Sequence, residues 1–134
     1  MAVTTEIKKS WSVPLPNGDS LEFHRVVCHF EPRRAGRDPE FVKNVILPVL
    51  HGVGKKLLNA DAYITGFDTW YIGGGNDHEL TRLNFDAFVV QVYQVERTVE
   101  LRLRFRLTDE DTGDDDDFNE AWLGLMIIAH SKPM

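Results

Sequence analysis

The sequence predicts an α+β fold, in which an antiparallel sheet of about six strands packs on one apolar helix in the order β-β-α-β-β-β-β. Two patterns lead to this prediction. Apolar side chains follow a strand-like pattern over six segments, which are residues 6–15, 21–30, 63–72, 80–95, 99–107 and 121–129. Between the second and third segments, residues 38–59 carry apolar side chains at the three- and four-residue spacing of a helix. A chain of 134 residues has the size of one ordinary domain, so we expect a single domain over residues 1–134.

The first two strands are predicted to form a hairpin. The residues 17–19, Asn-Gly-Asp, separate them, and Asn and Gly tolerate the positive φ angles of tight turns. Pro14 cannot donate a backbone hydrogen bond, which favours an edge position for the first strand. The apolar alternation shifts between Phe23 and Val26, which indicates a bulge in the second strand.

The predicted helix begins at Asp38, an N-cap residue followed by a proline at the first helical position. Its apolar stripe consists of Val42, Val45, Ile46, Val49, Val53 and Leu57. Pro48 removes one backbone donor and clashes with the preceding turn, so we expect a kink there. Asn59 is the expected C-terminal stop.

The remaining strands differ in how clearly they alternate. Residues 99–107 alternate most regularly, with apolar side chains at odd positions and charged ones at even positions. Residues 88–93 are apolar on both faces, which is typical of a central strand. Residues 121–129 are predicted as a buried strand, although a short helix beginning at Asp117 or Asn119 is an alternative. An alternative geometry closes the sheet further, into a barrel or a sandwich.

The negative charge of the chain is concentrated in one predicted loop. The net charge is −6, and residues 109–117 hold seven of the 21 carboxylates, namely Asp109, Glu110, Asp111, Asp114, Asp115, Asp116 and Asp117. Without these seven the net charge of −6 becomes +1. We call residues 109–117 the acidic segment. It is interpreted as a solvated charge run, with cation binding or docking of a basic partner as alternatives, because its glycine does not stand where a calcium-binding EF-hand loop needs one.

Composition also limits where the protein works and what it binds. No apolar run reaches the roughly 18 residues needed to span a bilayer, and the N-terminus lacks the features of a secretory signal. The single cysteine, Cys28, cannot form an internal disulfide and is expected in the core. We therefore expect a cytoplasmic protein (in the host cytoplasm or the virion if it is viral) with no membrane partner. Overall acidity makes nucleic acid an unfavourable partner.

No catalytic site is recognisable from residue spacing, and we expect no enzyme activity, cofactor or metal. His24 and His29 should point to opposite faces of one strand, and no histidine pair has metal-site spacing. The glycines at 73–75 are followed by none of the residues of a phosphate loop. Residues 77–79, Asp-His-Glu, are the one acid–base candidate. His51-Gly52 lies in the middle of the predicted helix, and the order of a helix followed by strands resembles the topology of hot-dog-fold thioesterases and dehydratases. This resemblance implies a small enzyme as an alternative.

Three arginines define the strongest candidate for a binding surface. Arg102, Arg104 and Arg106 alternate along one predicted strand and project from one face over about 13 Å. Such a row needs negative charge opposite it. Glu96, Glu100 and Asp86 of the same sheet are one source, and the acidic segment of a neighbouring copy is another. We call these three arginines the arginine stripe.

These observations favour a non-catalytic assembly or interaction protein. The arginine stripe and the acidic segment, through Asp109, Asp111, Asp114, Asp115, Asp116 and Asp117, are predicted to join copies of the chain or to bind a protein partner. Because such a contact is heterologous, it builds rings or filaments. Small β-rich subunits of virus or phage particles have this general character. The alternatives are an acidic inhibitor or immunity protein that mimics nucleic-acid phosphates, and the small hot-dog-like enzyme.

Overall fold

The computed structural model describes residues 3–34, 41–49, 54–72, 80–109 and 118–134, which form seven β-strands. The strands are β1 Val3–Pro14, β2 Ser20–Arg34, β3 Phe41–Pro48, β4 Lys55–Ile72, β5 Leu80–Tyr93, β6 Thr98–Asp109 and β7 Phe118–Pro133. They form a four-stranded sheet with the order β1-β2-β7-β4 and a three-stranded sheet with the order β3-β6-β5. All paired neighbours are antiparallel.

The two sheets share one apolar core, so the fold is an all-β sandwich and the α+β prediction is wrong. The alternative geometry of a sandwich is the one that the chain adopts. Four of the six connections between consecutive strands pass from one sheet to the other, and only β1–β2 and β5–β6 are hairpins. No helix in the described parts of the chain is long and apolar enough to cross a membrane.

Where the structure describes the segment predicted as a helix, it forms β3 and the beginning of β4, while the predicted N-cap Asp38 and Val53 lie outside the described residues. Val42 and Ile46 are exposed on one face of β3, while Val45 and Leu47 point towards the core. The valines and isoleucine of this segment are β-branched and suit a strand, and the pairing of β3 with β6 decides between strand and helix. Pro48 is the last residue of β3 rather than a kink, and β3 is an edge strand, where a missing donor is tolerated.

The hairpin prediction is confirmed. Leu15 N donates to the carbonyl of Asp19 at 2.8 Å, and Gly18 has a φ of 90°. The first strand is an edge strand, as Pro14 predicts. The predicted bulge in β2 is wrong, because the register shift lies on β1 between Ile7 and Lys9, and β2 alternates without interruption from residue 20 to residue 30.

Aromatic rings join the two sheets across the core. The ring of Phe30 on β2 lies 5.3 Å from that of Phe105 on β6, and Phe85 on β5 stacks on Phe105 at 5.0 Å. Phe41 meets Phe30 edge-on at 5.7 Å. Such pairs add to the hydrophobic contribution of the rings. The buried apolar residues around them, Cys28 among them, come from six of the seven strands or from the residue after β3.

Candidate functional site

The arginine stripe lies on the outer face of the three-stranded sheet. Its strand, β6, is the central strand of this sheet, with β3 on one side and β5 on the other. Val99, Leu101, Leu103 and Phe105 of β6 are fully buried, so the even-numbered residues between them point outward. The predicted common face of Arg102, Arg104 and Arg106 is therefore confirmed. The expectation that residues 88–93 form a central strand is wrong, because β5 is at the edge.

Arg102 is held in place from both neighbouring strands. Its Nε donates a hydrogen bond to Oδ1 of Asn44 on β3 at 3.1 Å. Its guanidinium lies over the ring of Phe88 on β5, 5.8 Å from the ring centroid. A stacked and hydrogen-bonded guanidinium has less rotational freedom to lose when it binds a partner. Arg102 is thus pre-organised.

A hydrogen-bonded network continues from Asn44 to Glu100. Nδ2 of Asn44 donates to Oε2 of Glu100 at 2.9 Å, and the hydroxyl of Tyr93 donates to Oε1 of Glu100 at 2.9 Å. The hydrogen bond from Tyr93 to Glu100 raises the pKa of Tyr93. Desolvation and the charges of Glu100 and Glu96 raise it further. The carboxylate of Glu100 therefore accepts hydrogen bonds from both Asn44 and Tyr93.

Arg104 and Arg106 have different cross-strand neighbours. Arg104 is exposed and lies directly opposite Asp86 of β5 in the strand register, whereas Arg106 lies opposite Asn84. Of the three carboxylates that the sequence offers as partners within the sheet, only Asp86 is in a directly opposite position. Glu100 is on the same strand as the arginines, and Glu96 is in the turn at 94–97.

Exposed apolar side chains flank the arginine stripe on β3. Val42 lies opposite Arg104, and Ile46, which is 60% exposed, lies opposite Glu100. Together with the stripe they form a face of mixed character, with cationic side chains beside branched aliphatic ones. Protein–protein interfaces combine these types of residue, with arginine enriched among their energetically important positions. This face is the candidate functional site.

The acidic segment, which is predicted to bind the arginine stripe, lies mostly outside the described residues. Asp109 is the last residue of β6 and is paired in register with Leu80, so the acidic segment begins within the strand. Asp111, Asp114, Asp115, Asp116 and Asp117 lie outside the described residues. So do His51, the glycines at 73–75 and the acid–base candidate at 77–79.

A polar cluster that the sequence analysis missed lies at one end of the inner face of the four-stranded sheet. Ser20, Glu22, His24 and Ser131 are all buried there. Nδ1 of His24 is 2.7 Å from the hydroxyl of Ser10, and Nε2 is 2.5 Å from the carbonyl oxygen of Val49. A carbonyl only accepts, so Nε2 carries a proton and donates a hydrogen bond to Val49, and Oε2 of Glu22 lies 3.8 Å from the same nitrogen. A pocket of about 250 Å³ opens beside this cluster and is lined by Ser10, Trp11, Ser12, Glu22 and His24.

The remaining described histidines are on the surface. His29 stacks on Trp122 at 4.2 Å and is hydrogen-bonded to Glu120, and Nε2 of His130 donates to Asp19 at 2.8 Å. The prediction that His24 and His29 occupy opposite faces is confirmed. Among the residues that the structure describes, no three His, Cys, Asp or Glu side chains are grouped as metal ligands would be.

Comparison with protein-family models, with curated proteins and with solved structures found no match to this chain.

Proposed function

We propose that the protein is a non-catalytic assembly protein, which associates with other copies of itself through the outer face of the three-stranded sheet. The arginine stripe of one copy binds the acidic segment of the next. One observation carries this proposal: Arg102, Arg104 and Arg106 share the outward face of the central strand, beside the exposed apolar side chains of β3.

Pre-organisation and charge support the proposal. Arg102 is already oriented by Asn44 and Phe88, so binding restricts it little further. Arginine binds carboxylates with two parallel hydrogen bonds, and the acidic segment supplies seven carboxylates. Since donor face and acceptor segment are different surfaces, repetition of the contact gives rings or filaments.

Light scattering of the full chain at low and at high salt tests this proposal. We expect a large species at low salt that dissociates as the salt concentration rises, because the contact is ionic. The triple substitution R102A, R104A and R106A should abolish the large species, and so should conversion of Asp114, Asp115, Asp116 and Asp117 to Asn. The substitutions K8A, K56A and K132A form the control, since they remove the same charge elsewhere.

Two results would overturn the proposal. One is a molar mass that is the same at low and high salt. The other is a large species that survives the triple arginine substitution but is lost in the lysine control. A monomer whose acidic segment binds an unrelated basic protein would point instead to the inhibitor alternative.

A further inference from the structure

A second surface, on the opposite side of the sandwich, is more apolar than a solvent-facing sheet normally is. The outward side chains of β7 include Trp122, Met126 and Ile128, and none between residues 122 and 128 is charged. Antiparallel sheets with one solvated face usually alternate apolar and polar residues. The sequence predicts a buried strand over residues 121–129, but in the monomer its odd-numbered side chains are buried while Trp122 is 41% exposed.

The apolar character extends across all four strands. One row across the sheet consists, in order, of Trp11 on β1, Phe23 on β2, Ile128 on β7 and Asp61 on β4. Met126 lies opposite Tyr63 of β4, and Val13 opposite Leu21. Trp11, Val13, Tyr63 and Trp122 are between 39% and 52% exposed. Large apolar side chains in one continuous patch are typical of a binding surface.

The outward row between Trp122 and Met126 has glycines on two strands. Gly124 of β7 lies opposite Gly66 of β4, while Val27 of β2 and Glu6 of β1 continue the row, and Oγ1 of Thr65 lies 2.9 Å from where a Cβ atom of Gly124 would be. A Cβ atom at Gly66 would meet no other atom within 4 Å. The outer face is therefore open at Gly66, where a side chain of a facing sheet can enter, whereas Thr65 covers Gly124.

We propose that this outer face of the four-stranded sheet is covered by the same face of a second copy of the chain. The charges at its two sides identify the occupant. In the middle of the face Lys9 and Arg25 lie on the β1–β2 side, with Glu6 one row beyond, and Asp61 and Asp68 lie on β4, with Lys56 at its end. The basic side of the face is complementary to its own acidic side.

A two-fold axis parallel to the strands, between β2 and β7, makes use of this complementarity. It places β1 of one copy over β4 of its partner, so that Lys9 faces Tyr63 and lies one row, two residues along β4, from Asp61. It also places β2 over β7, so that Phe23 packs on Ile128. Two sheets packed in this way stay within about 30° of each other in strand direction.

The size of the face is sufficient for a dimer. Four strands at about 4.8 Å spacing are about 19 Å wide, and the rows from Leu21 to His29 extend for about 27 Å. The two copies together then bury on the order of 1,000 Å², the lower limit for a specific interface. We therefore expect a dimer that is stable at micromolar protein concentrations.

Sedimentation of the full chain in 1 M salt tests the dimer, because high salt removes the ionic contact proposed for the arginine stripe while apolar burial persists. We expect a dimer under these conditions and a monomer for Y63D. I46D is the matched control, since it places the same charge at a similarly exposed apolar position on the other sheet. It should remain dimeric.

Charge reversal at lower salt tests the pairing across the two-fold axis, and it remains informative if Y63D does not fold. It is made in the R102A, R104A and R106A background, which removes the ionic assembly proposed for the arginine stripe. We expect K9E and D61K each to raise the dissociation constant of the dimer about tenfold, and the double variant to restore it to within about threefold. A wild-type monomer in 1 M salt overturns the proposal. Dissociation of the dimer by I46D but not by Y63D also overturns the proposal. The same holds if the dissociation constant of the double variant is no lower than those of the single variants.

Discussion

His24 donates a hydrogen bond from Nε2 to the carbonyl oxygen of Val49, across the gap between the two sheets. Nδ1 of the same ring is hydrogen-bonded to Ser10, so both nitrogens of a fully buried imidazole are satisfied. The interaction links the end of β3 to β2, two segments that belong to different sheets. This relationship leads to the first of four predictions.

Substitution of His24 by Ala should lower the free energy of unfolding by about 2–4 kcal/mol, because it leaves the Val49 carbonyl without its donor and opens a cavity. Urea denaturation measures this loss. H130A is the control: His130 is partly exposed and bonds to Asp19 on the surface, so its loss should cost less than about 1 kcal/mol. Equal losses in the two variants would contradict the structural role of His24.

Cys28 should make the stability of the fold depend on pH in the alkaline range. Burial raises the pKa of its thiol from 9.0 to about 12. The folded chain therefore keeps the proton at pH values where the unfolded chain has lost it. The stabilising contribution is complete below pH 9 and is lost as the pH rises towards 12.

We expect the wild-type free energy of unfolding to fall more steeply between pH 9 and pH 12 than that of C28A. The difference should approach about 1.4 kcal/mol per pH unit within this range. Urea titrations of both proteins at a series of pH values measure it, and the other groups that titrate there are common to both. Parallel curves would show that Cys28 is accessible to water in the folded state.

Glu100 should control the ionisation of Tyr93. The hydrogen bond to the Glu100 carboxylate raises the pKa of Tyr93 above its ordinary value of 10.0. E100Q removes the negative charge, so the Tyr93 pKa should fall towards 10. Ultraviolet titration of the phenolate measures this change, with Y93F identifying which signal belongs to Tyr93. An unchanged pKa in E100Q would exclude the contact in solution.

Asp86 should weaken the self-association that we propose for the arginine stripe, because it lies directly opposite Arg104. D86N removes this competing carboxylate, so the large species should persist to higher salt than in the wild type. Its effect on stability should be below about 1 kcal/mol, because Asp86 is exposed. Light scattering over a salt series measures the shift. A large species that dissociates at lower salt than the wild type would mean that Asp86 supports the contact.

The sequence predicts those features that depend on neighbouring residues. The turn at Gly18, the edge position of β1, the outward face of Arg102, Arg104 and Arg106 and the burial of Cys28 are all correct. Each depends on local backbone preference or on strict two-residue alternation, and both of these can be read along a single strand.

The features that were missed depend on contacts between distant segments. In β2 the polar residues Glu22 and His24 point inward, while Leu21 and Phe23 lie on the outer face, the reverse of what hydrophobicity alone predicts. His24 is tolerated inside because Ser10 and Val49 supply its hydrogen bonds. For the segment that forms β3, the choice between helix and strand depends on its pairing with β6, which local spacing does not show.

The crossing of the chain between sheets has a consequence for how fast the protein folds. β2 ends at Arg34 and β7 begins at Phe118, yet they are neighbours, and β7 also separates β2 from β4. The four-stranded sheet cannot close around its core until β7 has joined it, so the loop-closure entropy is lost before most native contacts form. Folding should therefore take milliseconds to seconds, as for other sandwiches, and β2 and β4 depend on protection from aggregation until β7 is in place.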